Sequence, residues 1–109
     1  MNKNKMMSNI KLFEHKKVRS HWDETEQQWY FSVIDVVDAL TDSANARDYW
    51  FKMKIRVKTE AGFELSTICR QFKLLAPDGK MRQTDVANTQ SLLRIIQSIP
   101  SPKAEPFKQ

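Results

Sequence analysis

The sequence is poor in the residues that build most disulfides, metal sites and phosphate-binding loops. It contains one cysteine, two histidines and two glycines among 109 residues. Because Cys69 is alone, no internal disulfide can form, so we expect a cytoplasmic protein with a buried, unreactive thiol. Gly62 and Gly79 stand too far apart to make a glycine-rich loop that cradles phosphate.

Long apolar runs are also missing. No stretch approaches the ~20 consecutive apolar residues that cross a bilayer. Residues 1–7 carry positive charge but lack the apolar segment of a signal peptide. We therefore expect no membrane segment.

Catalytic patterns are absent as well. His15 and His21 have no cysteine or second histidine at the spacing of a zinc site. Asp35 and Asp38 could be imagined in a metal-dependent nuclease, but a solvated helix face explains them better. No serine has a base partner in a recognisable pattern. We therefore predict a protein that is not an enzyme, with no catalytic residues, no metal and no cofactor.

The charge that is present is unevenly distributed. There are 18 lysines and arginines against 13 acids, for a net charge of +5. Residues 1–20, 21–42 and 45–82 carry net charges of +5, −6 and +5 in turn. This segregation predicts one basic and one acidic surface, and a basic surface favours a polyanion as partner. The alternative is that charged side chains simply keep a small domain in solution.

The first part of the chain reads as strands. Alternation of apolar and polar residues predicts strands over 10–14, 18–22 and 28–31, with an acidic turn at 23–27. They would form an antiparallel meander, covered by a helix. Three apolar side chains are available for its covered face: Leu12, Trp22 and Trp29.

Two capped helices follow the strands. Ser32 and Asp35 have the spacing of a capping box and open a helix that runs to Leu40. After a turn of about four residues, Asn45 caps a second helix over 45–58, giving a helical corner. One apolar stripe marks the core face of this second helix: Tyr49, Trp50, Met53 and Val57.

The last part of the chain mixes helices with a hairpin. Apolar spacing over 65–72 predicts a short third helix, and Pro77-Asp78-Gly79 predicts the turn of a hairpin. Asp85 or Asn88 caps a fourth helix through residue 99, and Ser101-Pro102 starts a last one. The fold class is therefore α+β, a small antiparallel β-meander and a β-hairpin packed with about four short helices in a single domain.

The termini suggest where the domain lies. We expect residues 1–9 to be a disordered tail and residues 10–109 to be the domain. The last helix stops at Gln109, just after Phe107, before it can present a whole apolar face. We therefore expect a domain truncated from a longer protein.

Two basic elements are candidates for phosphate contacts. In the 45–58 helix a ridge beside the apolar stripe holds three cations and the far side two more, and the hairpin carries another three. The alternative for the hairpin is a basic edge that discourages aggregation. Of the three consecutive aromatics Tyr49, Trp50 and Phe51, only Phe51 is expected to be exposed enough to stack on a base. The predicted DNA-binding residues are Arg47, Lys52, Lys54, Arg56, Lys58, Lys73, Lys80 and Arg82.

Four motifs together resemble the Bro-N domain, the N-terminal module of baculovirus BRO proteins and of phage or prophage antirepressors. They are WYFSVIDVVDALTD at 29–42, NARDYW at 45–50, TDVANT at 84–89 and LRIIQSIPSPKAEPFK at 93–108. The chain looks like bacterial members of the DNA-damage-inducible protein D type, and the resemblance runs from about residue 10 to its end. One departure is His15-Lys16, where many members have a glycine turn.

The resemblance implies a double-stranded DNA-binding module in transcription regulation, usually fused to a variable C-terminal domain that is missing here. It supplies no catalytic set and no defined list of DNA contacts, and it leaves the oligomeric state open. A second hypothesis is a protein-interaction module, in which the acidic block 21–42 meets a repressor or other regulatory protein.

Overall fold

The computed structural model describes residues 18–108, and these form one curled antiparallel sheet covered by helices. The strands are β1 (Ser20–Asp23), β2 (Gln28–Ser32), β3 (Arg70–Leu75) and β4 (Met81–Asn88), in the order β1-β2-β4-β3. The helices are α1 (Val33–Leu40), α2 (Ala46–Ala61) and α3 (Thr89–Gln97), with 3-10 turns at Leu65–Ile68 and Pro102–Phe107. The predicted α+β class is confirmed. The predicted tail, the strand over 10–14 and the turn at 15–17 lie outside the described residues.

The meander and the hairpin join in one sheet. Strands β1 and β2 form the acidic hairpin, and β2 then pairs with β4 from Val86 to Asn88. Strand β3 pairs with the whole of β4 up to Val86. Because β2 reaches only the last residues of β4, Met81–Asp85 has one edge without a strand partner among residues 18–108.

The predicted helix caps are confirmed. The Asp35 amide donates to Ser32 Oγ (3.3 Å), and the Asp48 amide donates to Asn45 Oδ1 (3.0 Å). Gly62 ends α2 with a left-handed φ of +68° and donates its N–H to the Lys58 carbonyl at 3.0 Å. A glycine takes this conformation without the steric cost of a Cβ, so Gly62 stops the helix cleanly.

The core lies between the sheet and the three helices. Helix α2 buries Trp50, Met53 and Val57, as its apolar stripe predicts, while Tyr49 is half-buried against the same cluster. The other helices contribute Val33, Val36, Val37 and Leu40 from α1 and Leu92, Ile95 and Ile96 from α3. No described helix is long and apolar enough to cross a membrane.

The predicted helix over 65–72 is wrong. Only Leu65–Ile68 forms a 3-10 turn, and Arg70 already begins β3. Pairing along β4 outweighs the local helical spacing, and it lets the Phe72 ring pack edge-on against Tyr30 with centroids 5.2 Å apart. Strand β4 is correspondingly longer than predicted, so Asp85 lies within it and Asn88 alone caps α3, accepting from the Ser91 amide.

The expectation that Trp22 and Trp29 face the core is also wrong. They are 37% and 49% exposed and pack on each other, with ring centroids 5.5 Å apart. Burial increases along β2 from Trp29 to Ser32 because the helices cover only that end of the strand. The core residue on this face of β2 is Phe31.

Cys69 lies between the 3-10 turn and β3 and is half-buried. Its thiol donates to the Leu65 carbonyl at a distance of 3.5 Å. Burial, with the negative charge of Asp85, raises the pKa of the Cys69 thiol to about 12, so almost none of it is a thiolate at neutral pH.

Candidate nucleic-acid interface

A cleft of about 290 Å³ separates α2 from the β3–β4 hairpin. It lies beside the part of β4 that β2 does not cover. The lining residues that carry its charge and hydrogen bonding include Arg19 before the sheet, Arg47, Trp50 and Lys54 on the helix, and Arg82, Gln83 and Asp85 on the hairpin. We call this the α2–hairpin cleft.

Asp85 joins the two walls of the cleft. Its carboxylate accepts from Trp50 Nε1 at 2.8 Å and from Gln71 Nε2 at 2.9 Å, and Lys54 Nζ lies 3.5 Å away. Burial raises the pKa of the Asp85 carboxyl. The bonds from Trp50 and Gln71 and the Lys54 charge outweigh that effect, so the pKa lies below its ordinary value. Asp85 is therefore ionised, and its charge holds the Lys54 ammonium group inside the cleft.

Arg19 lines the same cleft and ties the hairpin to α1. Its Nε and Nη2 donate to the two Asp35 carboxylate oxygens at 2.7 and 3.0 Å, and its Nη1 donates to the Leu75 carbonyl at 3.1 Å. The bonds to Asp35 raise the pKa of the Arg19 guanidinium above its ordinary value. Asp35 is therefore a partly buried ion-pair partner, which corrects the prediction of a solvated helix face.

The structure separates the eight predicted contact residues into two groups. Arg47, Lys54 and Arg82 line the α2–hairpin cleft. On the same side, Lys58 borders an adjoining groove, Lys73 pairs with Gln83 and so shares its sheet face, and Lys80 lies in the hairpin turn. These six are Arg47, Lys54, Lys58, Lys73, Lys80 and Arg82, and we call them the cleft-side cations.

Lys52 and Arg56 lie on the other side of α2. They border a separate groove of about 470 Å³ that reaches Pro100. Arg56 Nη2 donates to the Ser98 carbonyl at 2.8 Å, and Lys52 Nζ lies 3.1 Å from the Asp48 carboxylate. Arg56 thus ties α2 to the end of α3, and these two residues do not share a surface with the hairpin.

The cleft-side cations differ in how tightly they are held. Among residues 18–108, the side chains of Arg47, Lys73 and Lys80 have no ion-pair partner. Lys58 lies 3.5 Å from Glu64, and Arg82 Nε donates to Asp78 at 3.1 Å, both at the surface. Exposed pairs contribute about 0–1 kcal/mol, so a phosphate can replace either acid. Of the six cleft-side cations, Lys54 is held most tightly, because its partner Asp85 is partly buried.

Sequence reasoning did not identify Arg19, Gln71 or Gln83. The glutamines carry no charge, and only the strand register places them on the face that borders the cleft. Arg19 lies 16 residues from its partner Asp35, so no local pattern marks the pair. Within residues 18–108, no three histidine, cysteine or carboxylate groups come together as metal ligands.

Comparison with protein families identifies the chain. The family model for the N-terminal domain of the BRO family, Bro-N, matches residues 17–109. Neither the curated proteins nor the solved structures gave a match. The family supports a regulatory domain of the prophage antirepressor type and is not known for enzymatic activity. Since the match spans most of its length, the chain belongs to the Bro-N family.

Proposed function

We propose that this Bro-N domain is a double-stranded DNA-binding module of a prophage antirepressor or BRO-like regulatory protein. The observation that supports the proposal most strongly is that α2 and the hairpin bring Arg47, Lys54 and Arg82 to one cleft. The other cleft-side cations extend this positive surface along both elements. Such a surface matches the phosphate backbone, which dominates the affinity of proteins for DNA.

Salt dependence tests this proposal. If three to six cleft-side cations neutralise phosphates, the slope of log K against log salt for a duplex is about −3 to −5. A single strand of the same sequence should bind with a shallower slope because its charge density is lower. Fluorescence anisotropy from 50 to 300 mM salt measures both slopes. A flat salt dependence, or no binding to any duplex at low salt, would reject the proposal.

A second candidate function is a protein-interaction module that binds a repressor or another regulatory protein. The observation in its favour is the exposed pair of Trp22 and Trp29 beside the acidic turn. Trp22 Nε1 donates to Glu24 Oε2 at 2.7 Å, so an aromatic surface and a carboxylate lie side by side. That combination suits a basic segment of a partner protein, through charge complementarity and cation–π contacts.

Glu24 is the residue that tests this second function. Glu26 is unsuitable because Tyr30 and Arg70 both donate to its carboxylate, so a change there would disturb the fold. We expect the wild type to capture a partner protein even at high salt. The E24K/W29A variant should lose this capture, while its binding to duplex DNA is unchanged. The control is E105K, at an exposed glutamate of the last 3-10 turn. Equal loss in both variants would contradict a specific surface.

A further inference from the structure

We propose that the outer end of the β3–β4 hairpin reads bases in the DNA major groove and that thymine methyl groups are part of what it reads. This inference rests on the proposed DNA-binding function. It goes further because the cleft-side cations contact phosphates, which carry no sequence information.

Two large apolar side chains are exposed at this end of the hairpin. Leu75 and Met81 are cross-strand neighbours, and they are 60% and 58% exposed. Leu74, on the opposite face of the same strand, is buried. The sequence thus places apolar residues on both faces at the tip, although the described part of the chain covers only one of these faces.

The next cross-strand pair on the exposed face is polar and equally accessible. Lys73 pairs with Gln83, and both are exposed. In the pair behind them, Gln71 donates to Asp85, and Asp85 is bonded by Trp50 and Lys54 of α2. The face is therefore divided into an inner half that binds the helix and an outer half that no other element of residues 18–108 covers. That outer half carries an ammonium donor, an amide and two apolar side chains.

These four side chains match the chemistry of the major groove. The groove is about 12 Å wide and admits a two-stranded ribbon, whose strands lie about 5 Å apart. Apolar side chains contact the thymine methyl and glutamine bonds adenine N6 and N7, while Lys73 beside them contacts the phosphate backbone as a cleft-side cation. Lys80 lies in the turn and Arg82 on the opposite face of β4, so both can contact phosphates beside the groove.

The hairpin is held firmly enough to be inserted as one unit. The Ala76 amide donates to the Lys80 carbonyl at 2.8 Å and the Gly79 amide to the Ala76 carbonyl at 2.9 Å. Arg19 holds the Leu75 carbonyl, and Asp78 in the turn is bonded by Arg82.

Replacement of thymine by uracil tests this readout, because it removes only the methyl group. Preferred sites are first selected from a random duplex pool, and each thymine is then exchanged for uracil. We expect wild-type affinity to fall about fourfold for each contacted methyl. The L75A/M81A variant should bind both duplexes equally, whereas the control I55A, at an exposed apolar residue of α2, should keep the difference. Q83A should lose about tenfold in preference at an adenine position.

Four results would overturn the inference. Equal wild-type binding to thymine and uracil sites, or selection that yields no sequence preference, would reject base readout. If the salt slope stayed at about −3 to −5, the proposed DNA binding would nevertheless stand. An absence of duplex binding would reject both proposals. A change of sedimentation from dimer to monomer in L75A/M81A would show instead that Leu75 and Met81 contact a second copy.

Discussion

Replacement of Arg47 and Lys73 by glutamine is expected to weaken duplex binding about 60-fold at 0.1 M salt. Each lost phosphate contact reduces the salt slope by about 0.9, so two contacts reduce it by about two. Both side chains are exposed and have no ion-pair partner among residues 18–108. The substitutions should therefore leave the fold intact, and thermal unfolding of the variant should match that of the wild type.

The matched control is K52Q combined with K103Q. It also removes two positive charges, but Lys52 lies on the other side of α2 and Lys103 is paired with Asp42 at 2.6 Å. We expect the control to retain the wild-type slope within about half a unit. If both double variants lost affinity equally, binding would depend on net charge alone, and the assignment of the α2–hairpin cleft would be wrong.

Asp85→Asn is expected to strengthen DNA binding while it weakens the fold. The substitution removes the negative charge inside the cleft and releases Lys54, which adds up to one phosphate contact, about eightfold at 0.1 M salt. The buried Trp50 indole loses a charged acceptor, which lowers the free energy of unfolding by about 1–3 kcal/mol. Anisotropy and urea unfolding on the same preparation measure the two effects.

The stabilisation of the fold by Asp85 depends on pH, and the direction of that dependence follows from its pKa. Because the pKa of Asp85 is lowered in the folded state, its ionised form stabilises the fold above the unfolded pKa, near pH 4. That stabilisation is lost as the pH falls through the folded pKa. The difference in unfolding free energy between wild type and D85N should be constant from about pH 8 to 5 and shrink below about pH 4. A D85N protein of wild-type stability that binds DNA no more tightly would contradict the role of Asp85.

Local signals predicted much of this fold. Each cap at Ser32, Asn45 and Asn88 joins a side chain to the backbone amide three residues later. The whole interaction therefore lies within four residues of sequence. The apolar stripe of α2 follows from helical periodicity in the same way, and it correctly placed Lys52 and Arg56 apart from Arg47 and Lys54.

Contacts between distant residues were not predictable from such signals. The turn at 65–68 and the strand after it depend on pairing with β4, which local spacing does not contain. Asp35 and Asp85 looked like solvent-exposed or capping acids, yet they join Arg19 and Trp50 across 16 and 35 residues. The helical wheel grouped the cations of α2, but only the packed structure shows which group faces the hairpin.

The most direct test of the proposed interface is a titration of the ¹⁵N-labelled domain with duplex DNA, followed by amide chemical shifts. The proposal predicts that the shifts change over residues 47–54 and 73–83, which border the cleft and form the hairpin tip. The amide chemical shifts of residues 20–29 and 97–103 should not change. Changes confined to residues 20–29 and 97–103 would contradict the α2–hairpin cleft as the DNA-binding surface.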